Sequence, residues 1–217
     1  MENENLPQLT EFETKYRVDG DKVYEFKKLV EYLNDNYKFV YAQGPDRYYT
    51  KKDGSFMRFR KAETDKYAEI TMKAKPEGAK HNIKRKEVNW KVDYNLDVHE
   101  IDHGAEMLGY DFNFEIWKMC HIYKFKDATL VFYTVRDEKG KVDHFIEIEL
   151  DEKSIHKLTE KEAWEKIRHY EGVLAPVGIV HNKRLTKSLY EMYVKDIYEV
   201  NTQESKDSGE AKAQGNS

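Results

Sequence analysis

The sequence predicts an α+β fold in which one closed antiparallel β-sheet surrounds a charged interior and helices pack outside it. Three observations carry this. Many short segments alternate apolar with charged residues at period two, the mark of strands with two different faces. Several longer stretches repeat apolar residues at helical spacing. The 217 residues are 39% apolar and 36% charged, with 16 Tyr and 10 Phe as bulky filling, which fits a partly charged interior.

The first strand is read at 10–18, around Glu11-Phe12-Glu13-Thr14-Lys15-Tyr16-Arg17. Phe12, Thr14 and Tyr16 share one face; Glu11, Glu13, Lys15 and Arg17 share the other. Carboxylates two residues apart stand about 7 Å apart along a strand, a spacing that brackets a divalent cation, and Lys15 comes next for an anion. Alone, such a motif is ordinarily a solvated strand face. Asp19-Gly20-Asp21 reads as a turn, with Asp21 capping a helix over 22–36 whose stripe is Val23, Phe26, Leu29, Val30 and Leu33. A strand at 38–43 is expected to end at the turn Gly44-Pro45-Asp46. Strands follow at 47–51, 56–61, 67–75 and 83–92, with turn signals at Asp53-Gly54 and Pro76-Glu77-Gly78. A helix is expected over 93–110, with Gly109 at its C-terminal cap. Strands return at 114–126, 128–135 and 144–150, and the last places Glu147 and Glu149 on one face. Thr159 and Glu162 form a capping box for a helix to about Tyr170, which Pro176 and Gly178 break. A last helix is expected over 185–197. Residues 1–200 read as one domain and 201–217 as a disordered polar tail.

If the charged faces share one lumen, it holds Glu11, Glu13, Glu87, Glu147 and Glu149 against Lys15, Arg17, Arg58, Arg60, Lys73, Lys75, Arg85 and Lys118. Burying so many charges is costly unless they are paired or occupied. Polyphosphate answers the basic set, and magnesium or manganese, which favour hard oxygen ligands, answers the acidic set. Arginine grips phosphate as a fork and lysine as a point charge. Both stabilise charge that develops on a transferred phosphoryl group.

The same residues resemble the CYTH superfamily, the triphosphate tunnel metalloenzymes. Glu11-Phe12-Glu13-Thr14-Lys15 matches its opening E-x-E-x-K. Gln43 to Tyr48-Tyr49 is similar to its Q-x-D-x-Y-Y stretch, with Asp46 one residue off the usual spacing. Arg58-Phe59-Arg60 resembles R-x-R, Thr71-Met72-Lys73 resembles T-x-K, and Arg85-Lys86-Glu87 resembles R-x-E. Lys118 and Tyr123 fall in the K-x-R-x-x-Y region, Glu147 and Glu149 in the late E-x-E strand, and Ser188 and Tyr190 in the closing S-Y. The resemblance implies an eight-stranded antiparallel β-barrel, the triphosphate tunnel, with helices outside. It implies magnesium or manganese held by Glu11, Glu13 and a late glutamate, Glu149 foremost, with Glu147 beside it. It implies triphosphate held by Lys15, Arg58, Arg60, Lys73, Arg85 and Lys118, and Lys15 helping to activate the attacking water beside Glu11 and Glu13. The expected activity is hydrolysis of an inorganic, nucleoside or thiamine triphosphate; the alternatives are cyclisation of ATP to cyclic AMP and non-catalytic binding of a phosphorylated ligand. The chain departs from the pattern at Cys120, where an arginine is expected, at Phe132-Tyr133-Thr134-Val135, which lacks the usual acidic residue, and at Thr50.

Other signals weigh less. His99-Glu100-Ile101-Asp102-His103 matches the zinc-protease H-E-x-x-H, but Asp102 is out of place inside such a helix and a solvated face fits better. Cys120 and His121 point to opposite sides of a strand, so the cysteine reads as a buried small hydrophobe rather than a nucleophile. As the lone cysteine it excludes an intrachain disulfide and a four-cysteine metal site. The net charge of −4 gives no basic field, so nucleic acid is expected only as a 5′-triphosphate end. With no apolar run near 18 residues and no signal peptide at Met1-Glu2-Asn3-Glu4-Asn5, a soluble cytoplasmic protein without a membrane partner is expected. The resemblance allows a homodimer.

Overall fold

The computed structural model describes residues 12–33, 36–63, 66–74, 87–151, 155 and 157–195. Glu11, Lys75 and Arg85, the turn at Pro76-Glu77-Gly78 and the tail at 201–217 lie outside them. Eight strands form one sheet: β1 (Glu13–Val18), β2 (Lys38–Thr50), β3 (Phe56–Arg60), β4 (Tyr67–Lys73), β5 (Glu87–Asp93), β6 (Asp111–Lys124), β7 (Ala128–Asp137) and β8 (Val142–Leu150). Their spatial order is β1-β8-β7-β6-β2-β3-β4-β5, and every pairing is antiparallel. The sheet curls like a barrel, and among the described residues hydrogen bonds do not close it. Its edges are β1 and β5, and the β1 edge gives the Lys15 carbonyl to the Leu185 N–H at 2.8 Å.

Period-two alternation gives the sheet one apolar face and one mixed face. On the apolar face Phe12, Tyr16, Phe132, Ile146 and Ile148 pack with Phe26 and Val30 of α1 (Val23–Leu33) and with Ile167 and Leu174 of α3 (Glu160–Leu174). Farther round, Tyr49, Met57 and Phe59 pack on Ile101 and Ala105 of α2 (Val98–Met107). The helices start where the sequence caps them. Thr159 Oγ1 accepts the Glu162 N–H at 3.3 Å, and the Glu162 carboxylate accepts the Thr159 N–H at 2.7 Å. Such a cap is worth about 1 kcal/mol. No helix among the described residues is long and apolar enough to cross a membrane.

Four local expectations need correction. The segment Gly44-Pro45-Asp46 is not a turn, because β2 runs through it and pairs those residues with Lys118, Trp117 and Ile116 of β6. Gly44 is required there by close approach: a Cβ would stand 2.4 Å from the Lys61 carbonyl oxygen. Pro45 still accepts from the Lys61 N–H at 3.3 Å, so it lacks only a donor. Asp21 caps nothing; it lies inside a 3-10 turn at Gly20–Lys22 that precedes α1. Residues 93–97 are not helical, because the Asp93 side chain takes the Asn95 N–H at 2.8 Å in a turn and Asp97 is the cap of α2. The last helix, α4, is only Leu189–Tyr193. Leu185 is held extended along β1, and Ser188, whose Oγ accepts the Glu191 N–H at 3.2 Å, starts the helix late.

Candidate functional site

The mixed face of the sheet carries the charged residues, and β1 and β8 make its acidic wall. Their register sets Glu13 opposite Glu149 and Lys15 opposite Glu147. The Lys15 ammonium stands between Glu13 Oε1 and Glu147 Oε2, 3.3 Å from each, with its side chain only 5% exposed. The Tyr133 hydroxyl donates to Glu147 Oε2 at 3.2 Å, and burial together with that carboxylate keeps the phenol protonated. Glu149 makes no hydrogen bond or ion pair among the described residues. Burial, then the Glu147 and Glu13 charges, push its carboxyl up to about 8.

The basic wall comes from β3, β4 and β6. Arg58 Nη2 donates to Glu69 Oε1 at 3.1 Å and Thr71 Oγ1 at 2.9 Å, and its buried Nε has no partner among the described residues. The Lys73 ammonium stands 2.7 Å from Glu87 Oε2, whose other oxygen accepts from Asn89 Nδ2 at 2.8 Å. Burial pushes the Glu87 carboxyl up, but Lys73, Arg58 and Asn89 outweigh it and hold it below the usual range. The Lys118 ammonium lies 4.0 Å from the Tyr133 ring centre, and burial, with the Arg60 charge, lowers its pKa. Arg60 is committed elsewhere: Nε and Nη2 both donate to Asp46 at 2.6 Å.

Lys15, Arg58, Lys73 and Lys118 therefore line one cavity with Glu13 and Glu147, while Arg60 is tied to Asp46 beside it. The cavity holds about 70 Å³, and Ser188, Leu189 and Tyr190 also line it. A water needs about 10–15 Å³ of such volume, so a few waters fit. Tyr190 stacks on Phe56 with ring centres 4.3 Å apart. The departures at Cys120 and β7 have a visible result. Apart from Lys118, the inner side of β6 and β7 is apolar: Phe114, Ile116, Cys120, Val131, Tyr133 and Val135 cluster there with Leu189 and Tyr190.

Sequence reading missed Tyr133, Glu69 and Asn89 as partners of the charged set. Alternation along β7 and β4 places Tyr133 and Glu69 on the mixed face, but only the fold shows which charges they reach. Among the described residues no group of three His, Cys, Asp or Glu side chains is arranged to hold a metal ion. The H-E-x-x-H segment is a solvated face: His103 is 75% exposed and Asp102 accepts from Arg47 and Tyr49. Burial pushes the Cys120 thiol up, which keeps it unreactive.

No protein-family model and no curated protein matches the chain. Solved structures do. A protein of Pyrococcus horikoshii is 24% identical, covers 85% of this chain and 99% of its own, and has a TM-score of 0.61. A Hippeastrum protein proposed as an adenylyl cyclase, and described as having a dominant triphosphatase activity, is 13% identical over 89% of this chain and 96% of its own, with a TM-score of 0.55. A proposed adenylate cyclase of Bacillus halodurans is 15% identical over 85% and 97%, with a TM-score of 0.51. These likenesses show a shared fold.

Proposed function

From the CYTH fold of this chain we propose that it is a divalent-metal-dependent hydrolase of a triphosphate compound bound inside the curled sheet. The observation that carries this reading is the convergence of Lys15, Arg58, Lys73 and Lys118 on one cavity with Glu13 and Glu147. The acidic wall is where a hard divalent cation would sit, because Glu149 is crowded by the Glu147 and Glu13 charges, which the Lys73 charge only partly offsets. Glu13, Glu147 and Glu149 do not by themselves form a three-ligand metal group, so magnesium or manganese would be held by them together with Glu11 of the same run, which lies outside the described residues, and would neutralise phosphate oxygens and the charge that develops on them.

The chain's own groups supply the rest. Arg58, Lys73 and Lys118 bind phosphate oxygens, and the partnerless Nε of Arg58 adds a donor. Lys15 touches both the acidic wall and the cavity, the position from which an amine orients an attacking water. Tyr133 fixes Glu147, and Phe56, Leu189 and Tyr190 exclude bulk water. A second reading, non-catalytic capture of a phosphorylated ligand, is favoured by the apolar β6–β7 side. The cyclase neighbours supply a third, cyclisation of ATP in the same site.

The test is incubation with inorganic triphosphate, ATP, GTP and thiamine triphosphate, with magnesium or manganese, and chromatography of the products. Released phosphate is the expected result. A cyclic nucleotide with pyrophosphate establishes the cyclase. Thermal stabilisation by a phosphorylated ligand without turnover establishes the binder and overturns the enzyme.

A further inference from the structure

A second cavity, of about 530 Å³, opens where the end of β1, the turn after it, the start of β8 and the break after α3 meet. It shares no lining residue with the tunnel cavity. Its size falls within the roughly 300–1,000 Å³ typical of small-molecule sites. Arg17, Lys22 and Lys183 bring three cations to it. Arg17 is 51% exposed; its Nε stands 3.7 Å from Asp143 and its guanidinium lies over the Phe145 ring, 5.6 Å from the ring centre. Its two Nη groups make no hydrogen bond among the described residues, which leaves the guanidinium fork for the oxygens of an anion. Lys183, exposed on the short turn His181–Lys183, makes no ion pair among the described residues.

The acidic groups nearby do not cancel this charge. Asp143 is already answered by the Lys141 ammonium at 2.9 Å and the Tyr193 hydroxyl at 2.8 Å. Asp19 is exposed at the rim. The Lys22–Glu25 pair, at 3.3 Å, is a surface pair of small worth. One wall is apolar, made by Val18, Val142 and Val177. The site is also preformed. His144 shares a hydrogen bond with Thr134 at 2.9 Å, and its ring lies so close to Gly20 that a Cβ there would stand 2.5 Å from Nε2. That contact locks the turn bearing Lys22 onto β8.

We propose that this cavity binds a small phosphate monoester. Arg17 and Lys183 grip the dianionic phosphate, Lys22 supports them, and the carbon body lies along Val18, Val142 and Val177. Occupancy here does not depend on turnover in the tunnel.

The experiment is calorimetric titration of the full chain with ribose 5-phosphate, with inorganic phosphate as competitor. The expected result is saturable binding that inorganic phosphate displaces. Lys183→Glu and Arg17→Gln should each weaken it about tenfold or more, the loss of one charge-assisted contact. Lys118→Met, in the tunnel, should leave it unchanged. Lys183 is exposed, so its substitution preserves the fold, which an unchanged Tm checks. Binding weakened by Lys118→Met and untouched by Lys183→Glu, or no saturable binding below about 10 mM, overturns the proposal.

Discussion

Replacing Asp46 by asparagine should destabilise the protein strongly, although the change removes one charge and almost no volume. Asp46 is 1% exposed and takes both the Nε and Nη2 hydrogens of Arg60 at 2.6 Å. The amide turns one acceptor into a donor aimed at the guanidinium and leaves the Arg60 charge without its counter-ion. Removing one partner of a buried pair costs about 3–5 kcal/mol. The Arg60 side chain is 27% exposed, so water recovers part of that, and about 2–4 kcal/mol is expected. In a chain of this size each kcal/mol shifts Tm by roughly 2–4 °C, so Tm should fall by about 4–16 °C. The pH dependence has a definite sign. Burial pushes the Asp46 carboxyl up, but Arg60 pulls it down further and it ends below its usual value. A depressed folded pKa gives stability that is present above the unfolded value of about 3.9 and lost as pH falls through the folded value. The difference between Asp46→Asn and the parent should therefore be constant from about pH 5 to 8 and shrink below about pH 4. Urea unfolding of the parent, Asp46→Asn, Arg60→Gln and the double variant gives the coupling energy. A coupling under about 0.5 kcal/mol, or a difference that widens in acid, would refute the reasoning.

Glu149 titrates with the opposite sign. Its folded pKa of about 8 lies above the unfolded value, so the stability it contributes is full below the unfolded value and lost as pH rises toward 8. Glu149→Gln should gain Tm over the parent between pH 5 and pH 8, at up to about 1.4 kcal/mol per pH unit; a difference that stays flat with pH contradicts the crowding of Glu13, Glu147 and Glu149. Gly44→Ala should cost about 1–3 kcal/mol, because its Cβ must displace the Lys61 carbonyl, 2.4 Å away. Wild-type urea stability in that variant would mean that β2 and the loop after β3 do not meet as described.

Much of this was legible in the sequence where side-chain alternation decides. Glu13 and Lys15, Glu147 and Glu149, and Arg58 with Arg60 each share a strand face, and pairing of β1 with β8 then brings the first four together. The capping box at Thr159 and Glu162 was equally plain, because it is built within four residues. What stayed hidden depends on distant partners. Asp46 and Arg60 both carry the charge of a tunnel wall, and only the β2–β3 register shows that they satisfy each other. Gly44-Pro45 has the composition of a turn, yet pairing with β6 and the Lys61 N–H bond to the Pro45 carbonyl override that local preference. The apolar side made by Cys120, Val131, Tyr133 and Val135 was seen as missing charge, but its filling by Leu189 and Tyr190 arises from residues far along the chain. The shortened α4 has the same origin, since the Lys15 carbonyl claims the Leu185 N–H.

The central claim is that the cavity between the two walls is a working phosphoryl-transfer site. The most direct test is phosphate release from inorganic triphosphate with manganese, by the parent and by Lys15→Ala, after both are shown to be folded. The account predicts metal-dependent release by the parent and a loss of about a hundredfold or more in the variant. Equal release by the two proteins would contradict it.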